Sequence, residues 1–311
     1  MQSLRDIKKR IKSVKNIEQI TKAMEVVSMT KMRKSQGYAL RARPYAIAAF
    51  EMLENLLTKS PKLPELLKSR KIKTSLLVIV TADKGLVGAF NDNIVRKAQN
   101  WINESREKGE SFKIITIGKK AKEYCDRKKI AVIKSFLDFG DYSEAEEALP
   151  VGDMVLSGFI AKEWDAVDII YTHFRTTLRQ ETVLRKILPV TKTGIEEIIR
   201  GIVPEYGKFS NANTGLAGNT KHRYNFKYKF EPSPVKILDV LLPELLRLHI
   251  YHVILESNAS EHSARMITMK NASDNAKELK GELNLSYNQA RQSGITAQLS
   301  EIIAGSEALE S

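Results

Sequence analysis

Three small groups of residues have types and spacings that could do chemistry. Asp83-Lys84-Gly85-Leu86-Val87-Gly88 follows an apolar run and precedes an amphipathic stretch. Backbone N–H groups at such a strand-to-helix turn can take up phosphate. The turn lacks the G-x-G-x-x-G spacing of a dinucleotide site and the Gly-Lys-Ser/Thr ending of a P-loop. Its glycines are therefore expected to serve a tight turn and close helix–strand packing. Of the histidines His173, His222, His249, His252 and His262, only His249 and His252 stand three apart on one predicted helix face. Such a pair could bind a metal, but no third ligand and no H-E-x-x-H accompany it, so a structural role is expected. Cys125, beside Tyr124, is the only cysteine, so an internal disulfide is impossible and a packed thiol is expected. No nucleophile elbow occurs. The expectation is no catalytic residue, no cofactor and no metal.

The elements that would position these groups fall into three stretches. Residues 3–58 read as one helix, with Ser3 as N-cap and Pro44 as its kink or break. Leu4, Ile7, Ile11 and Val14 form an apolar seam, and Ile17, Ile20, Met24 and Val27 continue it after a step of three. A helix that long needs a partner along most of its length. The middle alternates in period: strands at Leu76–Val80, Lys113–Ile117, Ile130–Ser135, Val167–Phe174 and Thr182–Val190, and helices at Asn91–Arg106, Lys119–Arg127 and Pro150–Glu163. That alternation predicts a largely parallel, Rossmann-like sheet. Residues 201–225, rich in Gly, Asn and basic residues, read as a mobile insertion.

From Val235 to about Leu309 the helical period returns, with Pro234 near its first turn and Pro243 expected to bend it early. Ala259, Met266, Met269, Ala276, Leu279, Leu283, Tyr287 and Ala290 mark its seam. The two longest helices thus stand at the two ends of the chain, and the simplest solution is that they pair antiparallel. The expected fold is α/β. Residues 1–59 and 233–311 form an antiparallel coiled-coil shaft, 74–192 a central Rossmann-like domain, and 193–232 the connection.

Of the 311 residues, 42% are hydrophobic and 28% charged, enough for a core and for long solvated helices. The net charge of +13 is uneven. Residues 1–59 carry 13 basic and 5 acidic side chains, and residues 233–311 carry 7 and 10. A basic first helix suits nucleic acid, an anionic surface or an acidic protein. No apolar run approaches the ~18 residues of a membrane span, so direct membrane insertion is not expected.

Several separated segments resemble one family. Ile20-Thr21-Lys22-Ala23-Met24-Glu25-Val26-Val27-Ser28-Met29-Thr30-Lys31-Met32 resembles the N-terminal helix of the gamma subunits of F-type ATP synthases. Ser260-Glu261-His262-Ser263-Ala264-Arg265-Met266, Ala272-Ser273-Asp274-Asn275-Ala276 and Tyr287-Asn288-Gln289-Ala290-Arg291-Gln292 resemble the C-terminal helix. So do Ile295-Thr296 and Glu301-Ile302-Ile303-Ala304-Gly305. The turn Asp83–Gly88 with Asn91, and Tyr228-Lys229-Phe230-Glu231-Pro232-Ser233-Pro234, match the central turn and the entry to the second helix.

The resemblance implies a non-catalytic central rotor. It would couple a membrane ring driven by protons or sodium ions to ATP synthesis or hydrolysis. The implied partners are alpha and beta subunits, three of each, an epsilon subunit and the membrane c-subunit ring. The implied location is peripheral, on the cytoplasmic face of a bacterial cell membrane. Lys22, Met24, Arg291, Gln292 and Thr296 match positions near ring contacts, and Tyr228, Phe230 and Glu231 match the foot on the membrane ring. Three features depart from the common pattern: the long basic insertion, Gln298 where an acid is frequent, and no cysteine pair of the redox-regulated plastid kind.

Length adds an expectation. The second helix should outrun the first from near Ala290 by ~30 Å, leaving an apolar stripe of Ile295, Leu299, Ile302, Ile303 and Leu309 for the ring to cover. Two other readings compete. A basic coiled coil could bind nucleic acid, although it has no recognition motif. A nucleotide enzyme could use the central sheet at Asp83–Gly88.

Overall fold

In the computed structural model, residues 3–59, 64–139, 145–191 and 231–310 are described. Helix α1 spans Leu4–Lys59. It is followed by β1 (Thr74–Val80), α2 (Phe90–Glu107), β2 (Ser111–Ile117), α3 (Lys119–Arg127) and β3 (Lys134–Phe136). Then come α4 (Ala145–Ile160), β4 (Ala166–Phe174), β5 (Gln180–Leu188) and α5 (Pro234–Glu310). The insertion at 201–225, with His222, Tyr228 and Phe230, lies outside the described residues. The described residues divide into two compact units, Met1–Ser28 with Met266–Ser311, and Met29–Arg265.

The larger unit is built on a five-stranded sheet of order β3-β2-β1-β4-β5. β1 pairs parallel with β2 and β4, β2 pairs parallel with β3, and β5 closes the edge antiparallel to β4. β1 is buried on both faces, which is why Leu76–Val80 reads as an unbroken apolar run instead of an alternating one. Leu77, Ile79, Ile114 and Ile170 pack against Ile94, Ala98, Trp101 and Ile102 of α2 and Ala121, Tyr124 and Cys125 of α3. The alternate residues Leu76, Val78, Val80, Ile169 and Tyr171 face Val151, Val155 and Phe159 of α4. The first turns of α5, from Leu238 to Ile254, and Leu53 and Leu56 of α1 complete that core.

The third strand is shorter and later than the expected Ile130–Ser135, because Lys129 turns at φ 54 and Ile133 is exposed. α4 begins earlier than expected and carries Pro150 inside it. Neither Pro44 nor Pro243 ends its helix. A proline costs a helix one backbone hydrogen bond, and long helices absorb that loss when the rest of the turn is held.

In the smaller unit the first and last helices run antiparallel, tied by an ion pair between Lys280 and Glu18. Their seams keep a strict seven-residue repeat. On α1 the repeat runs through Ile7, Ile11, Val14, Glu18, Thr21, Glu25 and Ser28, with Met24 also half-buried beside it. On α5 they are Met269, Ser273, Ala276, Lys280, Leu283, Tyr287, Ala290 and Gly294.

This corrects the expected seam. Leu4, Ile17, Ile20 and Val27 are exposed, as is Leu279 on α5, while Met24 is half-buried. The step directly after Val14 is one of four, to Glu18, and the repeat runs on through polar and small residues. Those residues satisfy themselves locally. Thr21 Oγ1 donates to the Ile17 carbonyl at 2.8 Å and Ser28 Oγ to that of Met24 at 2.7 Å.

Ile7, 5% exposed, is the most deeply buried apolar position of α1 in this unit, whereas Ile11 and Val14 are half-buried. Ile7→Asp places an unpaired charge there and is expected to cost about 3 kcal/mol. Hydrogen exchange should show α1 opening around residue 7. An unchanged exchange profile would mean that position 7 lies off the seam.

Candidate functional site

The carboxyl edge of the parallel strands is where a sheet of this topology would hold a ligand, at the point where strand order reverses between β1 and β4. Here the turn after β1 is closed by the protein's own groups. Asn91 Oδ1 accepts the Ala82 N–H at 3.1 Å. Asp83 Oδ1 accepts the Lys119 N–H at 2.8 Å, so the N-terminus of α3 already carries an anion. Gly88, at φ 57, supplies the expected turn. Gly85 does not serve close packing, because a Cβ there would meet nothing within 4 Å. The close approach is made by Gly118, whose Cβ would fall 2.1 Å from the Thr81 carbonyl oxygen.

Helix α5 lies across the crevice. Ser257, Ser260 and Ser263 are buried, small enough to let the helix backbone approach the sheet. Ser260 Oγ donates to the Thr172 carbonyl at 2.9 Å, and Ser263 Oγ to that of Thr177 at 2.7 Å. Gln180 Nε2 donates to Ser263 Oγ at 3.1 Å. Arg265, paired with Glu261 at 2.6 Å, reaches the Gly85 carbonyl at 3.4 Å. Groups beside the turn that could meet a phosphate are engaged by the chain itself, which argues against the reading of Asp83–Gly88 as a nucleotide site.

The paired histidines of α5 are interior groups. His249 and His252 are buried, and His252 Nδ1 lies 3.9 Å from Glu256 Oε1. The other carboxylate oxygen of Glu256 is 2.9 Å from His173 Nδ1 of β4. Burial raises the affinity of the Glu256 carboxyl for its proton, but the His173 hydrogen bond and the neighbouring histidines outweigh it and hold the pKa below the ordinary value. Among the described residues no group of three His, Cys, Asp or Glu could hold a metal. Cys125 is buried, and burial pushes its thiol up to about 11, far from a reactive thiolate.

The positions singled out on the long helices lie at the surface. Lys22 is exposed and pairs with Glu25 at 2.9 Å. Arg291, Gln292 and Thr296 are exposed, and so is Glu231 just before α5. Ile295, Leu299, Ile302 and Ile303 are 50%, 54%, 68% and 59% exposed. The sheet fold thus carries two long helices with exposed apolar side chains on their outer faces.

The family described as ATP synthase matches residues 3–309. The ATP synthase gamma chain of Crocosphaera subtropica is 38% identical over 317 residues, covering 99% of this chain and all of that relative. The gamma chain of a Geobacter species is 38% identical over 311 residues, covering the whole of both. The chain belongs to the ATP synthase gamma chain family.

Solved structures agree on the fold. The Euglena gracilis mitochondrial ATP synthase (OSCP/F1/c-ring, rotational state 3) contains a chain matched at TM-score 0.62 and 19% identity. The match covers 98% of this chain and 94% of that one. A chain of the Tetrahymena thermophila mitochondrial ATP synthase central stalk and c-ring gives 0.57 and 23%, over 82% and 99%.

As a gamma chain, the protein is the central-stalk rotor subunit of an F-type ATP synthase, not catalytic by itself. The nucleic-acid reading of its basic first helix finds no support in these relatives. Among the described residues no helix is long and apolar enough to cross a membrane.

Proposed function

We propose that the free faces of the long helices are the bearing on which this gamma chain turns. An alpha/beta ring of three copies each would surround Lys22, Met24, Arg291, Gln292, Ile295, Thr296, Leu299 and Ile302. Tyr228, Phe230 and Glu231 form the foot on the membrane c-ring, beside an epsilon subunit. The complex sits peripherally on the cytoplasmic face of a bacterial membrane. Residues 1–59 and 233–311 act as the shaft, 74–192 as the central domain and 193–232 as the connection.

The observation that carries this reading is the apolar stripe at Ile295, Leu299 and Ile302, at least half exposed on a helix whose seam positions up to Gly294 are shielded. Exposed apolar surface of this kind marks a protein interaction site. An asymmetric shaft can do work on a ring only through contacts that differ between the ring's conformations. That fits a surface of scattered side chains better than a single fixed socket.

Native capture of the full chain from its own cells is expected to recover alpha, beta, epsilon and c subunits together. Charge reversal at Arg291, exposed and away from the seam, should lower coupled ATP synthesis while leaving the fold's denaturation midpoint within about 0.5 kcal/mol. Recovery of nucleic acid without ring subunits would overturn the reading.

A further inference from the structure

The interface between α5 and the strands β4 and β5 holds more ionisable groups than a joint between a helix and a sheet needs. His249, His252 and Glu256 project from α5 at positions three and four apart. Tyr171 and His173 meet them from β4. Arg185 of β5 lies over the Tyr171 ring, 5.6 Å from its centroid. Arg175, at the end of β4, also acts on Tyr171, and is itself paired with Glu181 at 3.2 Å. All three histidines and Glu256 are buried. His249 Nδ1 has no hydrogen-bond partner. The Tyr171 hydroxyl, fully buried beside Glu256, closes no well-formed hydrogen bond either. Neither the bearing nor the foot uses any of these groups.

We propose that this interface is an acid-sensitive joint, closed while His249 and His252 are neutral and opened by proton uptake on both. A neutral imidazole fits the dry interface, whereas an imidazolium at position 249 would sit without an acceptor and near Arg185. Burial is the main reason why His249 is held down to about 3, with the charges of Arg185 and His252 adding to it. His252 is lowered as well, first by burial, against the partial pull of Glu256. When the interface opens, both rings return toward the ordinary 6.5.

The open state therefore binds more protons, and acid favours it. Closure is at full strength above pH 6.5 and weakens as pH falls from there toward about 3. Proton uptake by His249 multiplies the opening constant by about ten between pH 7.5 and 5.5, and His252, also lowered, adds a further factor of at most about ten. Glu256, whose folded value is lowered, adds in the same direction only in stronger acid.

The test is amide exchange of residues 246–265 in the full-length chain at pH 7.5 and 5.5, normalised to the intrinsic rate at each pH. The wild type is expected to open ten- to a hundredfold more at pH 5.5. The double variant H249Q/H252Q should show less than about a threefold change, because neither site can take up a proton. An equal rise in the variant, or no rise in the wild type, would overturn the joint. If the variant does not fold, the ring resonances of the wild type decide. The His249 ring should stay neutral at pH 5.5 while the amides remain protected, and the His252 ring should titrate below 6.5. Titration of both rings near 6.5 in the closed protein would overturn the proposal.

Discussion

Gly118→Ala is expected to lower the stability of the sheet-containing unit by about 3–5 kcal/mol. Gly118 stands between β2 and α3 at φ 91 and ψ 148, a conformation essentially reserved for glycine. A Cβ there would also lie 2.1 Å from the Thr81 carbonyl oxygen and 2.8 Å from its carbon. Neither atom can swing aside. The Thr81 N–H donates to the Ile117 carbonyl at 2.8 Å, and the Gly118 N–H to the Phe136 carbonyl at 2.9 Å. Thr81 Oγ1 accepts the Ala121 N–H at 2.8 Å. Moving this backbone would disturb the ends of three strands and the start of a helix together. Gly85→Ala is the control: it meets open space with no positive φ and should change stability by less than about 1 kcal/mol, most simply upward through the unfolded chain. The comparison of denaturation midpoints is the measurement. Similar shifts for the two substitutions would remove the argument from close approach.

The same turn shows what a sequence can and cannot carry. Strand, glycine-containing turn and helix were all legible around residues 76–106, because buried parallel strands are continuous apolar runs and α2 keeps a clear apolar face. The boundaries of α3 were legible too, since Gly118 precedes it and an exposed basic stretch follows it. Which glycine was under steric demand was not legible. Gly85 and Gly118 read alike in the sequence; the positive φ of Gly118 and the Thr81 carbonyl beside it separate them. The roles of Ser260 and Ser263 were equally hidden: only the carbonyls of Thr172 and Thr177, more than 80 positions earlier, give their hydroxyls partners.

The seam errors have another origin. The apolar line from Val14 through Ile17 and Ile20 is not the contact line; the repeat of seven passes through Glu18, Thr21, Glu25 and Ser28. In a two-helix seam a side chain can be shielded by geometry while its own hydroxyl bonds back to its helix, so polarity is a poor guide to the contact line. Ile17, Ile20 and Val27 remain exposed within the described chain, on the part of α1 that the proposed bearing uses.

Deleting residues 295–311 is expected to leave both compact units folded and to weaken association with the alpha/beta ring by close to a thousandfold. The register of the two helices sets this boundary. Glu18 lies opposite Lys280, and α1 begins at Leu4. About 14 residues beyond that pair, at one residue per ~1.5 Å on each helix, the first helix runs out beside Gly294. Shielding along α5 stops at that residue, four positions past the onset near Ala290 expected from length alone. Beyond it, Ile295, Leu299, Ile302 and Ile303 fall within a sector of about 100° and remain exposed. Covering the exposed parts of four such side chains is worth on the order of 4 kcal/mol, which is the thousandfold in association. An isolated helical end of about 16 residues has little stability of its own. Amides 295–310 should therefore exchange quickly in the free chain and become protected once the ring is assembled, while those of residues 269–290 are protected in both states. Equal protection of 295–310 with and without the ring would mean that the tip is covered by its own chain, and the assignment of this stripe to the bearing would fall with it.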